Sequence, residues 1–243
     1  MSDVHTLVVD LATPVAASDP YIHLDSFLSY AAGVEAIGHD GLRELEDGGE
    51  PRYFKDEMPL AEVRHEGDWV WGCSAAMVAE PDEYRDETGD WNTTKWRKRF
   101  DVDLDHQVKR TNINTSSGEF KSYNASLPYN AADKLLFYFR GDAERTKAMI
   151  DAHVQGVGKK RSQGYGKIND IHVGDAEAET AIWHDGRVLR ALPSSWLEVE
   201  PGAVHERRTT KPPYWHQANQ TMAVRPFEEV SCRAVESVLP TTV

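Results

Sequence analysis

Apolar positions recur along this chain with periods that change from two to about 3.6 residues and back. Thr6–Ala12 is short, β-branched and partly alternating, which predicts a strand. Pro14 and the Ser18-Asp19-Pro20 cluster end it. Leu24, Phe27, Leu28, Ala31 and Ala32 follow at helical spacing, with Gly33 and Gly38 marking the expected end of that helix. Residues 39–66 are acidic, contain Gly48-Gly49 and Pro51, and read as an irregular surface insertion. A second strand is predicted over 68–79, dense in aromatic and small residues.

Residues 80–130 resist a single assignment. Within them Lys109–Thr115 and Glu119–Tyr123, joined by Ser116-Ser117-Gly118, predict a hairpin. Leu135–Phe139 reads as a buried strand, and 143–154 as a helix with Asp142 as its N-cap. A glycine-rich stretch, 156–167, leads into a strand over Ile168–Val173. Without the 80–130 insertion the order is βαββαβ, the split-βαβ or ferredoxin-like pattern of an α+β protein. The expected organisation is a core over 1–175, interrupted at about 80–130, and a mostly β extension over 176–243. The extension's strand signals are Arg187–Pro193 and Trp196–Val199.

Composition is that of an ordinary globular chain, 40% apolar and 28% charged. No apolar run approaches the roughly 20 residues that span a bilayer, and no basic-then-apolar leader opens the chain, so a cytoplasmic protein without membrane contact is expected. Cys73 and Cys232 are too few for a disulfide framework or a four-thiolate metal site. His172, His184, His205 and His216 lack zinc-ligand spacing, so no metal and no other cofactor is assigned. The net charge is −13, but its distribution is uneven. Residues 1–90 hold 5 basic against 21 acidic side chains, while residues 91–243 hold 22 against 19. Binding follows the local field of a patch, so an acidic total does not exclude a nucleic-acid partner.

Two patches stand out. In the first, Gly156, Gly158, Gly164 and Gly166 enclose Lys159, Lys160 and Arg161, with Ser162, Gln163 and Tyr165 between. Such a loop can bring backbone amides and cations to a phosphate. A turn with a solvated basic tip has the same composition. No Gly-Lys-Ser/Thr leads into a helix, and the glycines precede a strand, which excludes a nucleoside-triphosphate P-loop and a dinucleotide fingerprint. The second patch is 91–125, with seven basic residues against four acidic ones. Trp96 lies there among Lys95, Arg97, Lys98 and Arg99, joining stacking surface to phosphate affinity. A solvated hairpin edge would also be charged.

Other residues carry two readings each. His23 and Asp25 sit where a helix begins, Asp25 as a cap and His23 as a partly buried ring or a catalytic group. Trp69 and Trp71 alternate along a strand, as core or interface anchors do, with base stacking as their other reading. Tyr214 and Trp215, after Pro212-Pro213, form a rigid aromatic projection, for the core or for an RNA or subunit contact.

The stretch from Gly156 to Ile168 resembles the glycine-rich loop of the repeat-associated mysterious proteins (RAMPs), ferredoxin-like RNA-binding subunits of CRISPR effector complexes. Ile22–Leu28, Arg187–Pro193 and Pro212–Trp215 together resemble the type IV subunit that caps the 5′ handle of the guide RNA. That resemblance implies an inserted β-hairpin thumb over 91–125 and no catalysis. It assigns RNA contacts to the 156–166 loop and to Lys95, Trp96, Arg97, Arg99, Lys109, Arg110 and Lys121. It implies as partners the crRNA handle, target DNA beside its flanking motif, and the backbone and large subunits of an effector complex. The alternative within the superfamily is a metal-independent repeat endoribonuclease. Its general base would come from His23, His106, Tyr165 or Lys167.

Overall fold

The computed structural model describes residues 4–45, 49–80, 83–84, 91–98, 121–176, 178, 180–197 and 204–230. In chain order the first part holds β1 (Val4–Leu11), β2 (Val15–Ala16), α1 (Leu24–Arg43), β3 (Glu62–His65), β4 (Asp68–Trp71), β5 (Met77–Glu80) and β6 (Glu83–Tyr84). Next come β7 (Asn92–Lys98), β8 (Tyr123–Asn130), β9 (Lys134–Arg140), α2 (Ala143–His153) and β10 (Ile168–Asp175). The last part holds β11 (Trp183–His184), β12 (Arg187–Val188), β13 (Leu192–Pro193), β14 (His205–Thr209) and β15 (Gln220–Val224). The protein is α+β, its described strands pairing antiparallel.

The main sheet runs in the order β10-β1-β9-β5-β6. Leu7 and Val9 of β1 alternate into the core, as do Leu135, Phe137 and Phe139 of β9, and they meet Leu24, Phe27 and Leu28 of α1 and Met149 and Ile150 of α2. The intervening Leu136 packs with Met77 on the opposite face, near Phe227. This explains the continuous apolar run at 135–139, because the strand is covered on both sides. Asp142 caps α2, accepting a hydrogen bond from the Arg145 N–H at 2.9 Å. A second core joins Val63 and Val70 of the β3–β4 hairpin to Trp183, Val188, Leu192, Trp196 and Val224. The C-terminal strands therefore share a core with residues far earlier in the chain.

Five sequence expectations are corrected by the structure. Helix α1 does not end at Gly38 but kinks there, at φ 72° and ψ 170°, and continues to Arg43. The return is stabilised because Gly33 leaves room for Leu42, whose Cδ2 would lie 2.7 Å from a Cβ at that position. The strand predicted over 68–79 is broken after Trp71. Ser74 hydrogen-bonds Tyr138 with both its backbone N–H and its hydroxyl, while the Ala75 and Ala76 N–H groups turn to Leu189 and Ile22. The stretch 187–193 is likewise two short strands around an inward-turned Arg190. Trp196 ends a 3₁₀ turn (Ser194–Trp196) instead of starting a strand.

Asp25 is also not a cap; α1 starts with no side-chain cap. The Asp25 carboxylate is wholly buried, and so is the Arg190 guanidinium 3.0 Å away. Arg190 also donates to the carbonyls of Trp71, Cys73 (3.2 Å) and Thr210 (2.6 Å). Tyr214 closes the network by donating to Asp25 at 2.8 Å. One guanidinium thus ties α1, the broken strand and the 210–214 turn together. Cys73 is buried beside it, and desolvation pushes its thiol pKa up, which makes it an inert core residue.

The hairpin predicted at Lys109–Tyr123 lies almost wholly outside the described residues. A different pair of strands is described on either side of it, β7 and β8, matched from Asn92 opposite Tyr129 to Lys98 opposite Tyr123. Among the described residues no helix is long and apolar enough to cross a membrane.

Candidate functional site

The glycine-rich loop is fastened to the segment that follows β1. Val157 N–H bonds the Gly166 carbonyl, Lys159 N–H the Ala16 carbonyl, Gly166 N–H the Pro14 carbonyl, and Lys167 N–H the Thr13 hydroxyl. These contacts leave no room for Cβ atoms: one at Gly158 would lie 2.3 Å from the Ala16 oxygen, and one at Gly166 would lie 2.0 Å from the Val157 oxygen. Gly164, at φ 91°, faces open space. Much of the glycine pattern therefore serves close backbone packing, and several of the loop's amides are occupied internally. What the loop offers outward is its side chains.

Gly156 and Gly166 are buried at the loop's base, and Lys160 stands at φ 59° before the 3₁₀ turn Arg161–Gln163. Lys159, Arg161, Ser162 and Gln163 are exposed, Lys160 and Tyr165 half-buried. Arg161 reaches back to the Gly156 carbonyl (3.5 Å) and lies over the Tyr30 ring, 5.7 Å from its centroid. Lys159 and Arg161 line a cleft of about 530 Å³ between the loop, the start of α1 and β14. From β14 come Arg207 and Arg208, which residue spacing alone does not single out. Arg208 is held by Asp19 (2.5 Å) and Glu206 (2.8 Å) and stacks on Tyr21. It shapes the wall more than it adds charge. Among the described residues no carboxylate pairs with Lys159 or Arg207, so their charges remain available to a ligand. A signal was present in the Arg207-Arg208 doublet, but nothing local showed that β14 would face the loop.

The β7–β8 stem starts beside the loop. Val15 and Ala16 of β2 pair with Asn130 and Tyr129 of β8, and the same Ala16 carbonyl receives the Lys159 N–H. At about 3.3 Å per residue from Asn92, Lys95 stands about 10 Å and Arg97 about 17 Å up the stem. Both are exposed, and Arg97 bonds the Asn124 side chain at 3.3 Å. Lys121 is exposed just before β8. Trp96 lies on β7, but its side chain falls outside the described residues, as do Arg99, His106, Lys109, Arg110 and Cys232 altogether. The loop, β14 and the stem base are thus brought together, with the stem's cations further out.

His23 borders the cleft but is 4% exposed. Its ring stacks on Tyr214 (centroids 5.0 Å apart), and its Nε2 accepts the Ala191 N–H at 3.4 Å. Burial, then the nearby Arg190 and Arg208, pull its pKa well below 6.5. Below about pH 6.5 the unfolded chain binds a proton that the folded chain refuses, so stability falls as the pH drops through that value. Urea titrations between pH 8 and 5 should show this fall, with up to about 1.4 kcal/mol per pH unit of slope missing from His23→Gln. Identical pH profiles for the two proteins would contradict a buried neutral ring.

The loop's packing also separates two glycines that look equivalent in sequence. Gly166→Ala should detach the loop from residues 13–16, lowering both the melting temperature and ligand affinity. Gly164→Ala should cost only about 1–2 kcal/mol for its left-handed backbone. Thermal melts of the two variants check this ranking; equal losses would sink it.

Comparison with known proteins gives a family for the sequence: residues 6–226 match the family described as CRISPR type IV associated protein Csf3. No curated protein matches. Among solved structures, a chain from the cryo-EM structure of the Type III-B Cmr-beta bound to cognate target RNA is similar, with 11% identity and a TM-score of 0.32. The match covers 71% of this chain and 61% of that one.

Proposed function

The chain belongs to the Csf3 family of type IV CRISPR-associated proteins, and from that membership and the cleft we propose that it is a crRNA-binding subunit of a type IV effector ribonucleoprotein. In this reading it caps the 5′ handle. The β10-β1-β9-β5 sheet with α1 and α2 serves as a ferredoxin-like platform. Lys159, Lys160, Arg161 and Arg207 neutralise handle phosphates, and Tyr21 and Tyr30 shape the walls. The β7–β8 stem follows the next phosphates toward the guide. The observation that carries the proposal is the convergence of the glycine loop's Lys159 and Arg161 and β14's Arg207 on one aromatic-walled cleft. Single-stranded RNA sites combine those two features. The backbone and large subunits of the complex, and target DNA beside its flanking motif, would be the further partners.

The subunit is proposed to bind without cutting. A general base needs a free lone pair within hydrogen-bond reach of the ribose 2′-hydroxyl. The His23 ring is buried, with Nε2 taken by Ala191. Co-expression with its repeat RNA should yield protein that copurifies with an RNA of defined 5′ end. The purified protein should leave added repeat RNA intact in EDTA. Absence of bound RNA would overturn the binding role, and metal-independent cleavage at one position would overturn the passive one.

A further inference from the structure

A second cavity of about 400 Å³ lies beside the cleft, walled by Leu42, Phe54, Pro212, Pro213 and Trp215. The Pro212–Tyr214–Trp215 motif divides here. Tyr214 belongs to the interior, fixed by Asp25 and stacked on His23. Trp215 is 59% exposed, the most exposed large apolar side chain among the described residues. Its position is nevertheless held from both sides. Tyr214 precedes it, and His216 follows it, accepting the Ala218 N–H at 3.1 Å and meeting the Gly49 carbonyl at 2.5 Å. The indole is an exposed flat surface on a braced backbone.

The cavity adjoins the cleft. Ser26, Tyr30 and Tyr214 line both, and Tyr30 is also where Arg161 stacks. A strand lying on Lys159 and Arg161 therefore passes the mouth of an apolar slot one side chain away. The slot's own charged wall residues are Arg52, 5.8 Å from the Phe54 ring centroid, and Glu50, so the basic surface is that of the adjoining cleft. An apolar slot opening beside Lys159 and Arg161 of the cleft, with a fixed aromatic face at its rim, suits a nucleotide whose phosphates stay on the basic surface while its base is turned aside. A protein segment would fill the apolar wall but would make no use of the cations that lead to it.

We propose that this cavity is a base-receiving subsite, in which one nucleobase splayed from the bound RNA inserts between Tyr30 and Trp215. The proposal rests on the RNA-binding role of the cleft. The test uses the full-length protein and synthetic repeat-derived handle RNAs in which each nucleotide in turn is replaced by an abasic riboside. Wild type should lose roughly tenfold or more in affinity at one position. Trp215→Ala should bind the intact RNA that weakly, lose nothing further with that abasic RNA, and melt normally. Trp215→Phe should retain most of the affinity. If Trp215→Ala binds every RNA as wild type does while Lys159→Ala with Arg161→Ala weakens them all, the subsite is refuted and the cleft stands. Loss of a partner subunit on copurification of Trp215→Ala, with RNA affinity unchanged, would reassign the cavity to a protein contact. If neither variant alters RNA binding, both the cleft and the subsite fail.

Discussion

Arg190→Met should lower the free energy of unfolding by about 3–5 kcal/mol, the loss expected when one partner of a buried ion pair is removed. The Asp25 carboxylate would lose its charged donor and keep Tyr214 as a side-chain donor, while the Trp71, Cys73 and Thr210 carbonyls would each be deprived of one. Those groups are out of reach of water in the folded chain, so each carries a desolvation cost with nothing to offset it. Desolvation already raises the Asp25 pKa against the pull of Arg190, and without Arg190 the carboxyl would take up a proton in preference to remaining a buried anion. Urea unfolding should show a lower midpoint with an unchanged slope, and adding Asp25→Leu should restore part of the loss. A loss below about 1 kcal/mol would mean that the network contributes little. Because Arg190 joins α1 to the 210–214 turn, the variant should also loosen the cleft walls and weaken any ligand held between them.

Replacing Lys159, Lys160 and Arg161 together by alanine should change binding in a different way, through charge alone. For a single strand, each phosphate that a cation no longer neutralises takes about 0.7 from the slope of log K against log salt, so the slope should fall by about 2 in the triple variant. At 0.15 M salt the same relation gives roughly a fiftyfold weaker affinity. Lys159 and Arg161 are exposed and Lys160 half-buried, none of them in the core, so the melting temperature should stay near that of wild type. Arg64→Ala is the control, since Arg64 is an exposed cation on β3 that pairs with Glu62. An unchanged slope in a folded triple variant, or an equal change from Arg64→Ala, would remove the loop from the binding surface.

Local chemistry was readable along this chain, and long-range partnership was not. The α1 stripe, the Asp142 cap and the 156–167 loop follow from spacing and residue type within a few turns. Ser74 could not be seen to break a strand, because the bond that does so comes from Tyr138, 64 residues away. Arg190 lay inside an apolar run that looked like one strand, and its role depends on Asp25, 165 residues earlier. Tyr214 and Trp215 are chemically similar neighbours, and only the position of Asp25 decides which of them is interior. The same limit hid Arg207: a basic doublet is visible in sequence, but the sheet that turns it toward the glycine loop is assembled from residues 192–224. The site is therefore half legible, its loop from composition and its opposite wall only from the fold.

The most direct test of the cleft assignment is photochemical crosslinking of the protein to its guide RNA, followed by mass spectrometry of the crosslinked peptides. The account predicts adducts within 156–167 and 205–209 and at Tyr21, Tyr30 or Trp215. It predicts none on the β3–β4 hairpin over 62–71. Adducts confined to that hairpin or to other surfaces, with the glycine loop and β14 unmodified, would contradict it.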